Sequence, residues 1–364
     1  MTGAIVLSAG GTGGHLFPAQ ALAGELSRRG RRIVVMTDAR FANYATSFPG
    51  ARIETVSSAP LNSLTAPFKI AVGVFQALNK LLALKPAAVI GFGGYPSVPV
   101  MLAATLARLP TAIIEQNAVV GRANRLVMNQ VKRVAAAFPI ARFAPRDKTK
   151  IVLTGNPLRP EVIRLWGAAY KMPMLGGPLR LLVFGGSQGA RAFSEIVPHA
   201  MTRLPHDLKM RLQIVQQCRA EDIEMVRTIY ANAEIHAELQ PFFADLPQRM
   251  AEAHLVIGRA GAGTVAELMA IGRPAILVPL PHALDDNQTP NAEILARADA
   301  GWMVAQSDLT PDSLAKMLTE IFALPADLTR RAAAAHALAI PDAAQKLADM
   351  VENLPRSSRQ RTAA

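Results

Sequence analysis

Four times along this chain a short apolar run breaks into a glycine-rich turn and then into a segment of helical character. The runs are residues 4–7, 88–90, 179–184 and 255–257. Their turns are Gly10-Gly11-Thr12-Gly13-Gly14-His15, Gly91-Phe92-Gly93-Gly94-Tyr95, Gly185-Gly186-Ser187-Gln188-Gly189-Ala190 and Gly258-Arg259-Ala260-Gly261-Ala262-Gly263. Strand, tight turn and helix in that order build a parallel sheet with helices on its faces, because a parallel strand needs a long crossover before its neighbour. Further apolar runs at 33–36, 111–114, 134–137, 151–153, 211–215 and 275–279 supply the remaining strands. Residues 179–191 echo residues 4–15, so the chain is expected to hold two related α/β, doubly wound, Rossmann-like domains rather than solenoid repeats. The expected domains are 1–157 and 158–339, joined through Gly155-Asn156-Pro157-Leu158-Arg159-Pro160, with a helix at about 340–355 packing back on the first. Residues 356–364 are a basic polar tail of disordered composition.

Such turns aim backbone N–H groups at an anion. In the fourth unit the helix is expected from 264 to 271, with Thr264 near its start and Glu267 in its first turn. A carboxylate there suits a sugar diol, and Gly261 and Gly263 leave room for a bulky ligand. The first turn resembles a dinucleotide fingerprint, with Asp38 in the place of the ribose acid, but Leu16 stands where the third glycine belongs. No Gly-Lys-Ser/Thr follows, so it is not a P-loop either. The helix after this turn is expected from Pro18 to Arg29, which leaves His15 at the tip of the loop, well placed for proton transfer. Glu115-Gln116-Asn117 follows the 111–114 strand, at the sheet edge where open α/β folds bind ligands. Asp285 and Asp286 have no further ligand cluster around them, so they read as loop charge or hydroxyl-binding groups rather than a metal site.

Charge is unevenly spread. Residues 1–160 carry 19 Lys/Arg against 5 Asp/Glu, whereas the rest carries 20 against 22. A basic first half calls for an anionic partner: a phosphorylated substrate, an anionic membrane surface or nucleic acid. The single Cys218 excludes an intrachain disulfide and a cysteine-rich metal site. No basic n-region opens the chain, so no signal peptide is expected. The uncharged run 87–107 has the length of a membrane span, but Gly91, Gly93, Gly94, Pro96 and Pro99 inside it predict strand, turn and helix. Residues 60–85 are apolar beyond one helical stripe and carry Lys69, Lys80 and Lys85, which leaves a core helix and a membrane-contacting patch both open.

Taken together, the glycine turns, Gly91-Phe92-Gly93-Gly94-Tyr95-Pro96-Ser97, Glu115-Gln116-Asn117, Gly155-Asn156-Pro157-Leu158-Arg159 and residues 258–267 resemble the MurG family, peptidoglycan GlcNAc transferases of the GT-B glycosyltransferase superfamily. The resemblance runs in order from about residue 4 to residue 305. It implies two doubly wound domains facing a cleft, and transfer of GlcNAc from UDP-GlcNAc to the muramoyl 4-hydroxyl of undecaprenyl-diphospho-MurNAc-pentapeptide (lipid I to lipid II), with inversion. The donor would meet Thr12, Gly13, Gly14, Asn117, Arg159, Ser187, Phe243, Ala262, Gly263, Thr264, Val265, Ala266, Glu267 and Gln288. The acceptor would meet Gly93, Gly94 and Tyr95, with His15 as the base and Glu115 in reserve. The family often has His before Glu-Gln-Asn; here it is Ile114, which weighs against a second histidine in the chemistry. No cofactor and no metal are implied. The implied partners are UDP-GlcNAc, lipid I, an anionic membrane surface on the cytoplasmic face of the plasma membrane, and other cell-wall synthesis proteins, without nucleic acid. The rival readings are a GT-B enzyme with another lipid or soluble acceptor, a UDP-GlcNAc 2-epimerase, a dehydrogenase and a nucleic-acid binder.

Overall fold

The computed structural model describes residues 3–10, 13–40, 47–60, 63–186 and 190–355. The chain forms two compact units, residues 1–159 with 342–364, and residues 160–341. The first unit holds seven strands, β1 (Ile5–Ser8), β2 (Ile33–Thr37), β3 (Arg52–Thr55), β4 (Ala88–Gly91), β5 (Thr111–Glu115), β6 (Arg133–Ala136) and β7 (Ile151–Leu153). They lie in the order β3-β2-β1-β4-β5-β6-β7, every pair parallel. In the central strands both faces are covered, so β1, β2, β4 and β5 are buried throughout.

Alternation along β1 sorts the two cores. Ile5 and Leu7 face helix Gly13–Arg28, whose Leu16, Ala19, Leu22 and Leu26 pack with Leu347, Ala348 and Val351 of helix Ala343–Glu352. Arg29 reaches that last helix as well, donating to Asp349 at 2.6 Å and Glu352 at 2.8 Å. Ala4 and Val6 face the other way, onto Ala77 and Leu81 of helix Ala66–Leu84 and onto Val100, Met101, Ala103 and Ala104 of helix Ser97–Leu106. The uncharged run 87–107 is therefore β4, its turn and a buried helix.

Helix Ala66–Leu84 is, among the described residues, the one helix long and apolar enough to cross a membrane. Its packed face is Ala66, Gly73, Ala77 and Leu81. A Cβ at Gly73 would sit 1.9 Å from the Ser57 carbonyl oxygen, so only glycine lets the helix lie this close. Phe68, Phe75 and Leu82, seven residues apart, leave their side chains mostly in solvent on another face. Lys80 pairs with Glu54, which removes much of its charge from that surface.

The second unit repeats the plan with six parallel strands: β8 (Leu179–Phe184), β9 (Leu212–Gln217), β10 (His236–Gln240), β11 (Leu255–Gly258), β12 (Ala275–Leu277) and β13 (Gly301–Met303), in the order β10-β9-β8-β11-β12-β13. Two helices begin earlier than the sequence predicts, at Gly13 instead of Pro18 and at Ala262 instead of Thr264. A proline removes a single N–H from a helix, and the first turn has no partners for its N–H groups in any case, so a helix can start ahead of the residue that looks like its first.

Candidate functional site

In each sheet the strand order reverses once, between β1 and β4 and between β8 and β11. The connections leaving those neighbours go to opposite faces of the sheet and part at its carboxyl edge, which is where open α/β folds hold ligands. The four glycine turns are the connections that leave β1, β4, β8 and β11.

At the first switch point the two turns touch backbone to backbone: a Cβ at Gly94 would lie 3.1 Å from Gly10 Cα. Gly93 and Gly94 both adopt left-handed φ, +84° and +74°, which favours glycine. The His15 ring fills the space these glycines leave. A Cβ at Gly93 would come within 3.3 Å of Nε2, and one at Gly10 within 3.5 Å of Nδ1. His15 stands in the first turn of helix Gly13–Arg28, not at a loop tip as the Pro18 start implied. Burial of its ring pushes its pKa down to about 4, so it is a neutral imidazole at neutral pH.

Glu115 closes the same cluster from β5 and is buried. Its Oε2 accepts from Gly121 N at 2.8 Å and Asn124 Nδ2 at 2.9 Å, and its Oε1 from Asn117 N at 3.1 Å. Burial raises its pKa, and these hydrogen bonds oppose the rise. A Cβ at Gly93 would lie 3.5 Å from Asn124 Nδ2, so Glu115, Asn124, Gly93 and His15 form one contiguous group. Tyr95 ends the β4 turn with the Arg40 guanidinium 4.8 Å from its ring centroid. Arg159 stacks 4.9 Å over Phe17, two residues beyond His15. Asp38, the stand-in for a ribose acid, is buried and committed to Arg40 and Ser58.

At the second switch point Gly261 caps helix Ala262–Ile271 with φ −64° and ψ 146°, a conformation open to any residue. A Cβ at Gly261 would meet only Thr264 Oγ1 at 3.8 Å, and one at Gly263 would meet nothing within 4 Å. The fold therefore does not require these two glycines, and they leave the helix start open. Helix geometry leaves the N–H groups of Ala262, Gly263 and Thr264 without intrahelical partners. Glu267 is the sixth residue of this helix and so lies in its second turn, not its first, because the helix starts at Ala262. It still shares a face with Gly263 and Thr264, four and three residues before it. Val265 and Ala266 are buried.

Side chains far from the glycines in sequence hold these loops, and Gln217 is one that the sequence did not point to. Gln217 at the end of β9 accepts from Gly185 N at 3.1 Å and donates to Gly186 O at 3.0 Å and Pro241 O at 3.1 Å. That clamps the β8 turn to the Pro241-Phe242-Phe243 segment. There the Phe243 side chain is buried beneath Arg249, and Phe242 is the ring in solvent. Gln288 Oε1 accepts from Ala260 N at 3.2 Å and Leu280 N at 2.9 Å, so its Nε2 hydrogens are what it has left for a ligand. The loop before it holds His282, Asp285 and Asp286 at positive φ, a cluster of strain of about 1–2 kcal/mol each. Arg259 is buried 4.8 Å over Phe193, donating to Val278 O, Pro279 O and Gln306 Oε1, with no carboxylate partner among the described residues. Burial lowers its pKa, yet a guanidinium keeps its charge, so a fixed cation sits beside the open helix start. Its spacing from the glycines was visible in the sequence; its burial was not.

Gly13, Gly14, His15, Gly93, Gly94, Tyr95, Glu115, Asn117 and Arg159 belong to the first unit, and Phe243, Ala262, Gly263, Thr264, Val265, Ala266, Glu267 and Gln288 to the second. Thr12, Ser187 and the tail 356–364 lie outside the described residues.

The glycosyltransferase family 28 N-terminal domain matches residues 5–136, and the family 28 C-terminal domain matches residues 180–347. The UDP-N-acetylglucosamine--N-acetylmuramyl-(pentapeptide) pyrophosphoryl-undecaprenol N-acetylglucosamine transferase of Rhodospirillum centenum is 50% identical over 353 residues, 95% of this chain and 93% of the relative. The protein of the same name from Rhodopseudomonas palustris is also 50% identical, over 95% of this chain and 97% of the relative. The crystal structure of Acinetobacter baumannii MurG superposes with a TM-score of 0.81 at 34% identity, covering 96% of this chain and 99% of that one. A UDP-GlcNAc 2-epimerase from Neisseria meningitidis shares the fold alone, with a TM-score of 0.67 at 13% identity over 96% of this chain and 99% of that one.

Proposed function

The chain belongs to glycosyltransferase family 28, in the branch of the undecaprenol-linked N-acetylglucosamine transferases, and from that membership we propose how its two switch points divide the transfer of GlcNAc from UDP-GlcNAc to lipid I. The second unit takes the donor. The N–H groups of Ala262, Gly263 and Thr264 meet the diphosphate, and Glu267 accepts from the ribose hydroxyls. The observation that carries this is the pair Gly261 and Gly263, which the fold does not need and a ligand at the helix start does. Gln288 and the Phe242-Phe243 segment border the same edge.

The first unit takes the acceptor, its diphosphate against the Gly93-Gly94-Tyr95 turn. His15 removes the proton of the muramoyl 4-hydroxyl as that oxygen attacks the anomeric carbon. The bond from the anomeric carbon to the phosphate oxygen breaks, UDP leaves, and the configuration inverts. The growing charge on the diphosphate falls on the helix start and in the field of Arg259, so the displacement is proposed to run without a metal ion. Labelled GlcNAc should pass from UDP-GlcNAc to a short-chain lipid I analogue in the presence of EDTA. A folded, UDP-binding enzyme that transfers nothing would overturn the acceptor assignment; transfer that EDTA abolishes would overturn the metal-free step.

Peripheral attachment to an anionic membrane rests on helix Ala66–Leu84. Phe68, Phe75 and Leu82 form an exposed apolar stripe on the more basic half of the chain. Replacing Phe68 and Phe75 together by Ser should weaken binding to anionic vesicles about tenfold or more, since a buried aromatic side chain contributes about 1.5–3 kcal/mol. Sedimentation with vesicles measures it, and unaltered binding would remove the stripe from the membrane contact.

A further inference from the structure

Besides the two switch points, the first unit holds a cavity of about 310 Å³ at the carboxyl ends of β2 and β3, lined by Asp38, Arg40, Ser57, Ser58, Ser63 and Lys69. That volume is at the small end of ligand sites. It lies on the same sheet edge as the turns after β1 and β4, because β2 is the neighbour of β1. The three charged groups are not equivalent. Asp38 is buried, and its oxygens accept from Arg40 N at 3.2 Å, Arg40 Nη2 at 2.6 Å and Ser58 Oγ at 3.1 Å. The Asp38–Arg40 pair therefore neutralises itself. Lys69 is exposed and has no carboxylate partner among the described residues, so the cavity keeps one uncompensated cation among serine hydroxyls. Ser58 is committed to Asp38, and Val56, Ala59 and Pro60 make the rest of the wall apolar, so Lys69 is the group left to draw an anion into the cavity.

One lining residue of the cavity also touches the proposed acceptor turn. Arg40, which lines it, lies over the Tyr95 ring, and Tyr95 follows Gly93 and Gly94 beside His15. An acceptor whose hydroxyl is at His15 would carry its peptide within reach of this edge, since an extended chain advances roughly 3.3–3.6 Å per residue. We propose that this cavity binds a carboxylate of the acceptor's peptide stem, with Lys69 as the cation that reads it. The inference rests on the lipid I reading above and adds to it a site for the stem.

The test compares two soluble short-chain acceptors, one with the peptide stem and one without it, for the wild type and Lys69→Gln. Lys69 is exposed, so the variant should fold. The expected result is a KM for the stem-bearing acceptor raised about five- to tenfold in Lys69→Gln, with kcat, donor KM and the stem-free acceptor unchanged. A stem with its carboxylates amidated should impose the same loss on the wild type and no further loss on the variant. Equal effects on both acceptors, or none, would overturn the proposal. If equal effects come with weaker binding to anionic vesicles, the cavity is a lipid headgroup site instead. Wild type that transfers to neither acceptor would sink the lipid I reading itself, whereas transfer to the stem-free acceptor keeps that reading whatever Lys69 does.

Discussion

His15→Ala is expected to lower the turnover of GlcNAc transfer by about two to four orders of magnitude, the usual share of a positioned general base, while UDP binding is retained. The separation follows from where the ring lies. It is packed against Gly10 and Gly93 in the first unit, and the proposed ribose and diphosphate contacts belong to helix Ala262–Ile271 in the second. The pH profile gives a second readout. Burial holds the pKa near 4, so His15 is already deprotonated well below neutrality in the unliganded enzyme. kcat/KM, which reports the free enzyme, should therefore show no loss of base near pH 6.5 and should fall only as pH approaches about 4. An acceptor diphosphate beside the ring would favour the imidazolium and raise this value in the complex, so the acid limb of kcat should lie at higher pH than that of kcat/KM. Retained turnover in His15→Ala would move the base to another group. Glu115 is the reserve, and its four-way setting among Gly121, Asn124 and Asn117 predicts that Glu115→Gln would disturb the β5 loop as well as the rate.

Glu267→Ala is expected to weaken UDP binding about 10- to 100-fold, the effect of losing charge-assisted hydrogen bonds worth about 1.5–3 kcal/mol. Calorimetric titration with UDP measures it directly. Glu267→Gln keeps the shape and one acceptor and should fall between wild type and Ala. Because Glu267 is buried, a thermal unfolding curve should accompany each titration, to separate a lost contact from a loosened helix. Unchanged affinity in a stable Glu267→Ala protein would end its assignment to the ribose.

Much of the site could be read from the chain because glycine is informative. A run of glycines after a buried strand has few uses, and the turns after β1, β4, β8 and β11 all came from that pattern. What the residues alone could not separate was why each glycine is there. Gly93 and Gly94 serve the backbone, through positive φ and contact with Gly10. Gly261 and Gly263 serve neither, and only the empty space around them points to a ligand. Phe243 and Phe242 are alike in sequence, yet one is buried and the other exposed. Gln217, Gln288 and Arg259 tie loops that are far apart in the chain, and no local pattern announces such a bond.

The same physical divide runs through the fold. Sequence by itself determined the parallel α/β class, the two halves and the central strands, because a strand covered on both faces must be a continuous apolar run. It did not reveal β3, β10 or β13, all at sheet edges, where one side lacks a neighbour and the residues are polar or half exposed, as in Arg52-Ile53-Glu54-Thr55. Helix starts were late by two to five residues, since a first turn needs no partner within the helix and so leaves little mark on composition. Those few residues decided where the chemistry stands: His15 within a helix and locked between two glycine turns, Glu267 one turn further down. Local pattern sets which elements form. Which side chain ends in water, which is sealed in, and which meets a distant partner, as Arg29 meets Asp349, is decided only when the layers pack.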